Sequence, residues 1–138
     1  MSETIVIIGA TAGMGLASAQ TLAKAGYRVI ISGRSQHTLD QALKKIRGEV
    51  LGFPLDYTKG DSITTFFTHV GAFDHLALVG SGQAAWGPFR DLKLDALQSA
   101  FDQKFYGFFL CAQAGLAHLR KNGSITFVIG GASVMLHK

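Results

Sequence analysis

The chain has one cysteine, Cys111, so neither an internal disulfide nor a multi-cysteine metal site can form within it. That usage suits a reducing environment, and a cytoplasmic location is expected. Cys111 is flanked by apolar residues in a helical stretch, which favours a core position over a reactive nucleophile. Only two residues of 138 are proline, and charged residues reach 16% against 48% hydrophobic, which excludes a disordered chain. No block of one charge occurs. Thirteen basic and nine acidic residues give a net +4, and the basic ones are scattered, as on ordinary solvated faces. No nucleic-acid surface is expected. The start carries Glu3 and lacks the basic segment of a signal peptide. The longest nearly apolar stretch, 105–117, is interrupted by Gln113 and is too short for a membrane span. The five histidines lack the short spacings of a zinc site.

What remains is a folded chain of one domain, residues 1–138, long enough to bury roughly two-thirds of its unfolded surface. Glycine is plentiful, at 17 residues, and falls mainly at expected strand ends and turns. Thr4–Ile8 (TIVII) is continuously apolar and β-branched, the pattern of a strand buried on both faces of a parallel sheet. Beyond a glycine turn, Leu16, Ala19, Leu22 and Ala23 follow helical spacing, and Gly26 ends that helix. Further strands are predicted over 28–32, 50–53, 75–79 and 124–129, with helices over 36–47 and 61–69 and a long one over 94–119. Asn122-Gly123 is the predicted turn between that long helix and the last strand. Strands alternating with helices imply an α/β fold, a Rossmann-like doubly wound parallel sheet of about five strands.

The segment GATAGMG places Gly9, Gly13 and Gly15 between the first strand and the first helix, with Thr11 and Met14 inside the turn. Helix N-termini carry unpaired N–H donors and partial positive charge, and glycines let a phosphate approach the backbone. Ser18 stands where the common dinucleotide fingerprint has its last glycine. A tight structural turn is the alternative. The second strand runs out into Ser32-Gly33-Arg34-Ser35 with no carboxylate. In such folds this point meets the adenosine ribose, where an acid accepts the 2′-hydroxyl of NAD and an arginine takes the 2′-phosphate of NADP. Arg34 therefore points to NADP(H), unless it is a solvated surface arginine.

With these motifs the chain resembles the short-chain dehydrogenase/reductase family. Gly9-x-x-x-Gly13-x-Gly15 matches that family's cofactor loop, with Ile8 where threonine is usual. Leu55-Asp56 resembles its adenine-contacting Asp, and Val79-Gly80-Ser81-Gly82 stands where many members have Asn-Asn-Ala-Gly. The resemblance covers the whole chain and implies NADP(H) binding and hydride transfer to or from a carbonyl or alcohol. The cofactor residues it implies, with those above, are Gly9, Thr11, Gly13, Met14, Gly15, Ser32, Arg34, Ser35, Asp56, Gly80 and Ser81.

The family's proton transfer uses a serine after the fifth strand and Tyr-x-x-x-Lys on the next helix. Four residues beyond Tyr27, Tyr57 and Tyr106 stand Ile31, Asp61 and Leu110, so none makes the motif. The sequence reaches Lys138, short of where the next helix would begin, and is expected to stop before that motif. Ile129 takes the expected place of the serine, with Ser133 a weak substitute, and Lys104 takes the place of an asparagine that supports the family's proton relay. The isolated chain is accordingly expected to be inactive. A non-catalytic NADP(H)-binding module and a protein-interaction module derived from an oxidoreductase are the competing readings. Trp86 in the 83–88 loop is either a lid or partner contact or a packed loop aromatic. FYGFFLCA, 105–112, is apolar all round, predicting burial all round and hence a homo-oligomer or partner chain docked on helix 94–119.

Overall fold

A computed structural model describes residues 2–80, 85 and 87–129. Its strands are β1 (Thr4–Ile8), β2 (Arg28–Gly33), β3 (Val50–Pro54), β4 (Phe73–Leu78) and β5 (Leu119–Phe127). All neighbours pair in parallel, in the order β3-β2-β1-β4-β5. Helices α1 (Gly13–Lys24), α2 (Gln36–Leu43) and α3 (Gly60–Val70) alternate with the first strands. A composite rod then leads to β5: α4 (Leu94–Ala100), a π-helical turn (Phe101–Tyr106) and α5 (Gly107–Leu116). This is the α/β, Rossmann-like parallel sheet expected from the strand and helix alternation.

All five residues of β1 are buried, because helices cover the sheet on both sides of it. Val6, Ile8 and Ile30 point to one face and pack with Phe66 and Phe67 of α3 and Phe108 and Cys111 of α5. Ile5, Ile7, Val29 and Ile31 point to the other and pack with Ala19 and Ala23 of α1 and Leu39 of α2. Period-2 alternation thus divides one apolar run between two cores. Strand order reverses between β1 and β4, and the carboxyl ends of the strands open a crevice at such a switch point.

Two expectations need correction. The helix over 94–119 closes at Leu116, and its middle is a π-helical turn. The chain turns at Ala117–His118, where His118 N–H donates to the Gly115 carbonyl at 3.0 Å and the His118 carbonyl accepts from Phe73 N–H at 3.1 Å. Leu119 is therefore already paired with β4. Asn122-Gly123 is not a turn between elements but a bulge inside β5, where the register slips between the Phe73↔Leu119 and His75↔Ser124 pairs. Asn122 takes φ 69°, which asparagine tolerates better than most side chains, and a Cβ on Gly123 would overlap the Asp74 carbonyl oxygen. Within the single chain α5 buries only Gly107, Phe108, Cys111 and Gly115, on the side that meets α3, β4 and β5, so burial of its other faces would need a partner.

The amino ends of three strands are tied by one carboxylate. Asp74 Oδ2 accepts from Thr4 N–H of β1 and from Arg120 Nη1 of β5, both at 2.8 Å. The Thr4 bond chiefly, opposed by some burial and helped by Arg120, holds the Asp74 pKa below the usual carboxylate value.

Candidate functional site

A groove of about 490 Å³ runs along the carboxyl ends of the strands. It is floored by the turn after β1. Gly9 has φ 85° and Gly13 φ 55°, a region where side chains are strained. A Cβ on Gly9 would overlap the Gly80 backbone, and one on Gly15 would overlap the Gly9 carbonyl. The turn can approach both β4 and α1 this closely only because those positions are glycine. Buried Ser32 fixes it from β2, its Oγ accepting from Gly9 N–H at 3.3 Å. Thr11 locks the far side, with its Cγ2 2.7 Å from where a Cβ of Gly33 would stand.

The turn delivers the chain into α1 with an unusual ending. Its N-cap is Ala12, which supplies no side-chain acceptor, and the first turn holds no acid. The first N–H groups of α1 thus lack a side-chain acceptor, beside a groove lined by Ala12, Gly13, Met14 and Gly15. An anion is the complementary ligand.

Across the groove stands Arg34, 60% exposed, with Nη2 3.8 Å from Asp56 Oδ1. The Asp56 carboxylate is mostly occupied by its own loop. Its Oδ1 accepts from the Thr58 hydroxyl at 2.6 Å and from Thr58 N–H at 3.1 Å. The hydroxyl bond chiefly lowers its pKa; partial burial opposes this, while Thr58 N–H, Arg34 and Lys59 assist. Asp56 itself does not line the groove. A pair this long and this exposed holds the guanidinium weakly, leaving its donor fork available to an anion.

Of the sequence-predicted residues, Gly9, Thr11, Gly13, Met14, Gly15, Ser32, Arg34 and Gly80 line the groove together. Ser35 does not. Its Oγ accepts from Thr38 N–H at 3.1 Å and caps α2. Ser81 lies outside the described residues, as do Trp86 and Ser133. Sequence reasoning missed Tyr57, on the loop after β3, which lines the groove beside Leu55. Its position just past a strand's carboxyl end was the available signal, shared with Val79 and Val128. Lys104, in the π-helical turn, and Ile129, after β5, reach the groove as well. Ile129 brings no hydroxyl to the end of β5.

The arrangement places an N-terminus without a side-chain cap and an exposed arginine, two groups complementary to anions, on one groove whose glycines leave the backbone open to a ligand. It fits a long molecule carrying phosphates at two points. Among the described residues no cluster of three or more His, Cys, Asp or Glu is placed to hold a metal ion. No described helix is long and apolar enough to cross a membrane.

Comparison with known proteins agrees with this architecture. The family model described as short chain dehydrogenase matches residues 3–137. Human (Homo sapiens) retinol dehydrogenase 8 is 28% identical over 135 residues, spanning 91% of this chain and 43% of its own. A short chain dehydrogenase from Bacillus anthracis superposes with a TM-score of 0.83 at 26% identity, covering 93% of this chain and 55% of that one. The F189W actinorhodin polyketide ketoreductase, crystallised with NADPH, gives a TM-score of 0.86 at 24% identity, with 97% and 55% covered, a likeness of fold. The chain spans less than half the length of the curated relatives it matches. Within that span the match is nearly continuous, and the chain belongs to the short-chain dehydrogenase family.

Proposed function

We propose that this chain is the NADP(H)-binding part of an oxidoreductase. One observation carries the reading: Arg34 and the uncapped N-terminus of α1 open on the same groove. The first N–H groups of α1 would hold the pyrophosphate, the glycines at 9, 13 and 15 would admit it, and Arg34 would take the 2′-phosphate. The bound nicotinamide supplies hydride exchange with a carbonyl or alcohol carbon. The NADPH bound by the actinorhodin ketoreductase supports the choice of cofactor by analogy of fold.

Hydride transfer also needs a proton donor for the substrate oxygen. None of Tyr27, Tyr57 and Tyr106 is followed by a lysine four residues on, and Ile129 stands at the end of β5. The proton is therefore assigned to residues outside these 138, in a longer protein or a second chain. The buried free thiol of Cys111 supports a reducing, cytoplasmic setting.

Calorimetric titration of wild type and Arg34→Ala tests the cofactor assignment. Loss of a charge-assisted contact should weaken NADPH roughly tenfold or more, with little change for NADH. An equal loss for both would remove the 2′-phosphate from Arg34.

A second reading, an interaction module, is favoured by an exposed apolar face shared by the α4–α5 rod and the end of β5. Phe101, Phe105 and Phe109 are 49%, 63% and 57% exposed there, next to Phe127 and Ile129. Such a face suits a second copy or a partner chain. A purified chain that sediments as a monomer at high concentration would count against it.

A further inference from the structure

The phenol of Tyr57 enters the groove from an unexpected direction. Tyr57 belongs to the loop after β3, yet its ring reaches across to α5 and the end of β4. Two glycines make the passage. A Cβ on Gly107 would stand 2.7 Å from Tyr57 Cδ2, and one on Gly80 would stand 3.2 Å from the phenol oxygen. The ring meets Phe108 edge-on, with centroids 5.9 Å apart. The ring is thus fixed on apolar neighbours while its oxygen lies at the Gly80 backbone, on the groove wall.

That oxygen makes no hydrogen bond among the described residues. Phenylalanine would fill the same space and keep the ring packing, so the packing alone does not call for a hydroxyl. Burial raises the phenol pKa, with a smaller opposing effect from Arg34, so at neutral pH the group is a protonated donor.

We propose that the Tyr57 hydroxyl donates a hydrogen bond to the adenosine ribose of the bound dinucleotide. This rests on the NADP(H) reading above. A 2′-phosphate on Arg34, at the end of β2, and a pyrophosphate at the α1 N-terminus leave the ribose between them. Tyr57 presents its oxygen beside Gly80, on the β4 side of that gap. The partner is therefore the sugar, which NADPH and NADH share, and the contact adds affinity without choosing between them.

The test is calorimetric titration of wild type and Tyr57→Phe with NADPH and with NADH. Losing one neutral hydrogen bond should weaken both about three- to tenfold. The melting temperature should stay at the wild-type value, since the ring is retained. Unchanged affinity for both dinucleotides would overturn the proposal. A loss confined to NADPH would also overturn it, by moving the contact to the phosphate. If wild type binds neither dinucleotide, the NADP(H) reading itself fails, a result separate from either of these.

Discussion

Gly15 lies against the carbonyl of Gly9, whose carbonyl carbon would be 2.9 Å from a Cβ built at residue 15. Both partners are backbone, so neither can swing aside as a long side chain would. Gly15→Ala must push α1 away from the turn, an overpacking that costs about 1–3 kcal/mol. It also shifts the first N–H groups of α1 that the pyrophosphate would meet. The variant is expected to melt lower and to lose at least tenfold in NADPH affinity, as read by thermal denaturation and titration. Unchanged affinity would show that the turn does not meet the ligand.

Ser35 offers a contrast, because its hydroxyl is spent on α2. Accepting from Thr38 N–H makes it the N-cap of that helix. Ser35→Ala is expected to cost about 1 kcal/mol in denaturant-induced unfolding. NADPH affinity should stay within about twofold, since the side chain does not line the groove. A large drop in affinity without a drop in stability would return Ser35 to the binding site.

Asp74 should set part of the acid limb of stability. Its folded pKa is lowered from the ordinary 3.8. The stabilisation is therefore fully present above about pH 4 and fades as the pH falls through the lowered folded value. Asp74→Asn should reduce stability at neutral pH and flatten its decline on acidification, because the group that takes up the proton is gone. Unfolding measured between neutral and strongly acidic pH checks this. An unaltered acid limb would assign that slope to other carboxylates, Asp56 among them.

Cys111 is 0% exposed, and burial pushes its thiol pKa up to about 12. Thiolate is thus scarce near pH 8 and is screened from reagents where it does form. Native protein should resist a thiol-specific chromogenic reagent, and denatured protein should react with one equivalent. Rapid native labelling would mean that α5 opens away from the sheet.

The parts of the fold that were legible in the sequence rest on local patterns. TIVII had the pattern of a strand covered on both faces, and GATAGMG between a strand and a helix marked the groove's floor. The junctions were harder. Leu116 and Leu119 continue the helical spacing of the preceding apolar residues, which hides the change to β5 at Leu119. Asn-Gly is a strong turn signal, yet here it serves a bulge, in which Gly123 packs against the Asp74 carbonyl of the neighbouring strand. Ser35 sits two residues past the end of β2, where ligand and cap both favour a serine, and only the Thr38 bond separates the two. Tyr57 was legible only as a residue just past the end of β3. Its place in the groove depends on Gly80 and Gly107, each more than twenty residues away, and no local pattern joins them.

The proposed NADP(H) site depends on the glycine turn and Arg34 acting together. The most direct measurement is a calorimetric titration of the purified chain with NADPH, with NADH run in parallel. NADPH should bind saturably and roughly tenfold or more tighter than NADH, through the contact of Arg34 with the 2′-phosphate. Binding of neither dinucleotide would contradict this and leave GATAGMG as a structural turn.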